Sequence, residues 1–220
     1  MIASELISDV IPALKTSDTV QKVLERMSEF RVEHLPIVND TQFLGLLSDD
    51  DLIEVVDLDT PVGALSLSQL NPYVLDSQHI YDVIRVFYER KITVVPVLDA
   101  KFVYLGLISI NSMTEYMAKL TAVSVPGGII VLEINSRDNS LAHIAQIVES
   151  ENAQVLSSYI DNQKDSSQLQ VTLKVNKTDI TQIVASFLRY EYVVLATFNN
   201  SDDKTGISDR FDSLMNYLSF

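Results

Sequence analysis

The residues whose types and spacing best suit chemistry lie in the run Gly45-Leu46-Leu47-Ser48-Asp49-Asp50-Asp51. A carboxylate such as that of Asp51 can accept hydrogen bonds from two adjacent hydroxyls, as on a ribose, and the Ser48 hydroxyl can add another. A helix is expected to begin here, and its first amides favour a phosphate or other anion nearby. The same spacing, Ser followed three positions later by an acid, is also that of a capping box, where the acid complements the helix dipole. Both roles are open on spacing alone, and one pair of residues can hold both. Asp49 and Asp50 read as dipole complements on a solvated face.

Covalent and metal chemistry find no comparable constellation. The chain has no cysteine, so it has no thiol nucleophile, disulfide or Cys-ligated metal. His34, His79 and His143 have no second histidine at metal-ligand spacing. Asp49, Asp50, Asp51 and Glu54 do not follow the spacing of a calcium-binding loop. Nucleophile elbow, P-loop and dinucleotide fingerprint are all missing. The expectation is a protein that is not an enzyme, with no catalytic residue, no metal ligand and no required cofactor.

Composition narrows the partners. Lys and Arg number 16 against 30 Asp and Glu, a formal net charge of −14. That balance opposes nucleic acid and anionic membrane surfaces. No apolar run approaches the roughly 18 residues of a spanning helix, and Met1 to Glu5 lack a signal-peptide pattern. The expected location is cytoplasmic. With 47% hydrophobic and 21% charged residues, the 220-residue chain can bury real cores.

The elements that must hold Ser48 and Asp51 occur twice. VQKVLERMSEFRVEHLPIV (Val20 to Val38) corresponds to IYDVIRVFYERKITVVPVL (Ile80 to Leu98), with Pro36 on Pro96. Phe43-Leu44-Gly45-Leu46-Leu47-Ser48 corresponds to Tyr104-Leu105-Gly106-Leu107-Ile108-Ser109. In each copy a short extended segment precedes an amphipathic helix, carried by Val20, Val23, Leu24, Met27 and Phe30 or by Ile80, Val83, Ile84, Phe87 and Tyr88. Two short strands follow, and a second helix is expected after Ser48 and after Ser109. The order is β-α-β-β-α, twice.

Thr121 to Gly128 (TAVSVPGG) breaks the pattern as a linker. Beyond it, apolar strands at Ile129–Ile134, Val155–Ile160, Leu169–Val175 and Tyr192–Phe198 enclose two helical stripes. That is βαββαβ, the ferredoxin-like order. A polar loop from Asn199 to Gly206 then leads to an amphipathic helical stripe of Ile207, Phe211, Leu214, Met215 and Leu218. The fold class is α+β, with segments 1–60 and 61–120 for the repeats, 121–128 for the linker, 129–200 for the ferredoxin-like domain and 201–220 for the tail.

The apolar-Pro-apolar strands (Leu35 to Val38; Val95 to Leu98) and the Gly-apolar-apolar-Ser runs make each repeat resemble a CBS domain, and the pair resembles a Bateman module, two halves related by a pseudo-two-fold. The last third resembles an ACT domain by element order. The whole layout is similar to CBS–ACT regulatory proteins of the acetoin-utilisation type. The resemblance implies a non-catalytic sensor that binds an adenosine-containing molecule such as AMP, ATP or S-adenosylmethionine and signals by rearranging its domains. It implies ribose binding at Ser48 and Asp51. Arg31 and His34 are candidates for the phosphates, and Val32, Pro36 and Leu14 for the pocket; Arg90 and Lys91 are the repeat 2 counterparts of the basic pair. Ser112 stands where repeat 2 would need the aspartate. The ACT ligand loop aligns with Ser136 to Leu141, of which Arg137 and Leu141 match. The resemblance also implies a homodimer and a regulated protein partner. The competing reading is a dimeric scaffold that has lost its ligand.

Overall fold

The computed structural model describes residues 1–67, 72–135, 140–162 and 168–198. The chain forms two compact units, Met1–Tyr116 and Met117–Phe220.

The first unit holds the first repeat and the second as far as Tyr116, within its last helix. In the first, α1 (Val20–Phe30) precedes the strands β1 (His34–Asn39) and β2 (Gln42–Ser48). The Thr19 hydroxyl accepts from the Lys22 amide and caps α1. Asp18, 9% exposed, fixes the same turn by accepting from the Lys15 amide at 2.9 Å and from Lys22 Nζ at 2.6 Å. Burial acts to raise its pKa, but the bonds from Lys22 and the Lys15 amide, with the charges of Lys22 and Arg26, bring it below the usual value. Val20, Val23 and Met27 face the core. Leu14 bridges Ile37 in parallel, so the opening segment forms the third chain beside β1.

The second repeat runs β3 (Val74–Leu75), α2 (Ile80–Arg90), β4 (Val94–Leu98), β5 (Tyr104–Ser109) and α3 (Ile110–Leu120). β3 joins β4 in parallel and β4 joins β5 antiparallel. Ile80, Val83 and Phe87 are buried, whereas Tyr88, placed on the apolar stripe by its spacing, is 71% exposed.

The two repeats differ at one expected element. The second helix forms after Ser109 but not after Ser48, where only a 3-10 turn over Asp50–Leu52 is present. The β-α-β-β-α order is therefore complete in repeat 2 alone. Residues 49–61 carry six acids without a base, the β-branched Ile53, Val55 and Val56, and Pro61. Like charges and β-branching both weaken a helix that the Met, Ala, Lys and Leu of α3 support.

The second unit is βαββαβ: β6 (Ile129–Asn135), α4 (Leu141–Ser150), β7 (Val155–Asn162), β8 (Gln168–Val175), α5 (Thr181–Arg189) and β9 (Val193–Phe198). The sheet order is β7-β8-β6-β9, antiparallel throughout. Ile130, Leu132, Val171, Leu173 and Val175 form one sheet face and pack with Ile144, Val148, Ile183 and Phe187 of the two helices. The loop expected to carry Arg137 and the tail stripe from Ile207 to Leu218 lie outside the described residues.

Candidate functional site

The motif residues sit where a strand irregularity aims them. In β1–β2 the register shifts between Ile37 and Val38, which pair with Gly45 and Phe43, so Leu44 is the extra residue of a bulge. In β4–β5 the shift between Val97 and Leu98 leaves Leu105 extra, beside Gly106. Gly106 has φ +151°, a conformation that L side chains rarely adopt, and a Cβ there would meet Ile7 Cγ2 at 2.4 Å. The glycine of the Gly-apolar-apolar-Ser run thus has a physical cause. It lets the strand kink before burying its two apolar residues and delivering the serine to the strand end.

At that end Ser48 is buried, and its amide donates to Asp51 Oδ2 at 2.9 Å. The Asp49 amide donates to the Glu33 carbonyl at 2.9 Å, and the Asp50 amide to Asp49 Oδ1 at 2.9 Å. Ser48 and Asp51 are thus brought together. The contact that joins them is the acid half of the capping arrangement, formed at a 3-10 turn.

Repeat 2 has the same backbone and a different end. The Ile110 amide donates to the Thr93 carbonyl at 2.9 Å, the counterpart of Asp49 to Glu33. The Ser109 and Ser112 hydroxyls lie 2.9 Å apart, and the Ser112 amide donates to Ser109 Oγ at 3.1 Å. The two serines are turned toward each other as a helix cap, with no carboxylate between them.

The remaining candidates separate. Arg31 is exposed and ends α1 in the left-handed conformation, φ 53°, with its amide on the Met27 carbonyl; Lys91 does the same for α2, φ 55°. Leu14, Val32 and Pro36 are buried, and the Leu14 amide donates to the Pro36 carbonyl at 2.8 Å. They belong to the packing under the strand end. His34 is 8% exposed and accepts at Nδ1 from the Thr93 amide at 3.3 Å, with Thr93 Oγ1 at 3.2 Å. The Thr93 hydroxyl also accepts from the Glu33 and His34 amides at 2.9 and 3.1 Å. His34 thus ties repeat 1 to repeat 2. Burial lowers its pKa, against the opposing pull of Asp49, Glu33, Asp51 and Asp50.

Thr93 was not legible as a site neighbour, because its partners are about 60 positions away in sequence and emerge only when the repeats face each other. A cavity of about 570 Å³ in the second unit was also unforeseen; His143, Tyr192, Glu133 and Glu191 help to line it. His143 Nδ1 lies 2.8 Å from the Tyr192 hydroxyl. Among the described residues no group of three or more His, Asp or Glu could hold a metal ion, and no helix is long and apolar enough to cross a membrane.

Parts of the chain are similar to known proteins. The family model described as CBS domain matches residues 3–58. Among solved structures, a CBS domain pair/ACT domain protein from Thermotoga maritima is 24% identical, covering 53% of this chain and 96% of its own, with a TM-score of 0.47. A putative acetoin utilization protein from Vibrio cholerae is 19% identical over 56% of this chain and 95% of its own, TM-score 0.48. The CBS-pair protein CBSX2 of Arabidopsis thaliana, in a structure with AMP, is 22% identical over 54% of this chain and 97% of its own, TM-score 0.46.

Proposed function

We propose that residues 1–120 act as a CBS pair that binds an adenosine-containing small molecule, and that the protein is a regulatory sensor without catalysis. Ser48 and Asp51 are the ribose site. The observation that carries this reading is the buried strand end at Ser48 with the Asp51 carboxylate held 2.9 Å from its amide. The match of the CBS family model to residues 3–58 supports it. In repeat 2 the hydroxyl pair of Ser109 and Ser112 replaces the carboxylate, so one site per chain is expected.

Charge sets the ligand preference. Glu33, Asp49, Asp50 and Asp51 cluster around the strand end, which disfavours a multiply charged nucleotide unless a cation accompanies it. AMP and S-adenosylmethionine suit the site better than ATP. Signalling requires that the ligand bind two arrangements of the repeats with different affinity. The His34–Thr93 contact lies between the repeats, where such a change would be felt. The ferredoxin-like unit, as an ACT-like domain, would carry the response through a homodimer to a regulated protein.

A second reading, a dimeric scaffold without ligand, is favoured by one observation: the Asp51 carboxylate already serves the local turn. The two readings divide on what the purified protein carries. The chain has no Trp, so a bound adenine raises the absorbance near 260 nm visibly above that of the protein. Retained or titratable absorbance at one adenine per chain supports the sensor. A protein that is empty as isolated and does not bind AMP, S-adenosylmethionine or ATP in equilibrium dialysis supports the scaffold.

A further inference from the structure

Thr93 of repeat 2 stands immediately before β4 and is half-buried. Its hydroxyl oxygen accepts from two successive amides of repeat 1, Glu33 at 2.9 Å and His34 at 3.1 Å. Both amides reach one oxygen because the backbone bends at Glu33, just before β1. These bonds fill the two lone pairs of the hydroxyl and leave its O–H to donate. The His34 Nδ1, 3.2 Å away, lies in reach of that proton, and the Thr93 amide points to the same nitrogen at 3.3 Å. An amide can only donate, so Nδ1 is the acceptor and the imidazole proton belongs on Nε2. Along the repeat Glu33 corresponds to Thr93 and His34 to Val94. Neither the hydroxyl nor the imidazole has a counterpart at the equivalent position, so the contact has no symmetry mate.

The bonds continue to the strand end. The Glu33 carbonyl accepts from the Asp49 amide at 2.9 Å. Asp49 Oδ1 accepts from the Asp50 amide and Asp51 Oδ2 from the Ser48 amide, each at 2.9 Å. In repeat 2 the equivalent carbonyl, that of Thr93, holds Ile110, the first residue of α3. That helix has its own hydrogen-bond ladder to keep its shape. The turn of repeat 1 is a 3-10 turn of three residues, Asp50–Leu52, crowded with acids, and its place depends on the Glu33 anchor. We infer that Thr93 is a positioning residue for repeat 1: it fixes the Glu33 peptide and, through it, the turn that presents Ser48 and Asp51. The inference rests on the reading of those two residues as the ribose site. It makes repeat 2 a working part of a site whose proposed ribose contacts lie in repeat 1.

Three full-length proteins test this: wild type, Thr93→Ser, which keeps the hydroxyl, and Thr93→Val, which keeps the shape and removes it. Amide hydrogen exchange followed by NMR reads the turn without ligand, and equilibrium dialysis with AMP reads the site. In Thr93→Val the Ser48 and Asp49 amides should exchange roughly tenfold faster or more, the scale of a buried hydrogen bond left unmade, while the Val23 amide of α1 keeps its rate. AMP affinity should fall by a similar factor, and Thr93→Ser should hold both within about threefold of wild type. Unchanged exchange at Ser48 and Asp49 overturns the inference. So does acceleration of Val23 by the same factor, because Thr93 then supports the whole unit and not the turn. Faster exchange with unchanged AMP affinity overturns it as well, since the site then does not need the turn held. If Thr93→Val does not fold, Thr93→Ala takes its place under the same criteria. If wild type binds neither AMP nor S-adenosylmethionine, the ribose reading fails on its own, and the exchange pattern of the three proteins still decides whether Thr93 holds the turn.

Discussion

Two side chains separate function from architecture at the residue scale. Asp51 accepts from the Ser48 amide and is the proposed ribose acceptor, so removing it outright would confound the two roles. Asp51→Asn keeps an oxygen for the Ser48 amide but loses the paired carboxylate acceptor. It should change stability by no more than about 0.5 kcal/mol, the size of a lost charge–dipole term, and abolish adenosine-ligand binding. Asp51→Ala should cost about 1 kcal/mol as well, the usual size of a lost cap. Urea denaturation of the three proteins checks both figures. His34 gives a pH signature. Its pKa in the folded protein lies below the ordinary 6.5 because it is buried, so between those two values the unfolded chain binds more protons. Stability should therefore fall as pH drops below about 6.5 and should not depend on this residue above it. His34→Val, which copies Val94 of repeat 2, should flatten that part of the profile in urea melts from pH 7.5 to 5.5. An unchanged slope would show that the imidazole is not the titrating group.

The elements follow from patterns of differing strength. Most of the α1 and α2 stripes and the alternation of Leu169 to Val175 could be read directly, because one face of each packs on a core; Leu24, read as part of the α1 stripe, is instead exposed. The doubled Gly-apolar-apolar-Ser run also located both strand ends, and Gly106 shows why. Gly106→Ala should destabilise the first unit by about 2 kcal/mol, in the range for a strained backbone position, plus whatever Ile7 cannot relieve by moving. Thermal unfolding will measure it, and a loss under 0.5 kcal/mol would contradict the bulge account. The second helix of repeat 1 could not be read from the repeat, because homology of position does not override six acids and four β-branched residues between 49 and 61. Nor could the ends of α1 and α2, where Arg31 and Lys91 hold a left-handed conformation that glycine would have advertised. Tyr88 misled for a simpler reason: it lies next to Phe87, and a helix turns about 100° between them. At the site itself Ser48 and Asp51 were legible as a motif. The role of His34 was not, since it depends on Thr93 across the repeat interface.

For the whole molecule the claim is that one adenosine-type ligand binds one unit of a two-unit chain. Met1–Tyr116 and Met117–Phe220 each have their own core, so ligand should move one melting transition and leave the other in place if the units unfold independently. The measurement that tests this most directly is scanning calorimetry of wild type and Asp51→Asn with AMP, ADP, ATP, S-adenosylmethionine and NAD. At about 100 times its dissociation constant a ligand adds roughly 2.7 kcal/mol, a shift on the order of 10 °C or more for a unit of this size. The account predicts such a shift with at least one adenosine compound in wild type and none in Asp51→Asn. A shift of the same size in both proteins, or no shift with any of the five in wild type, would contradict it.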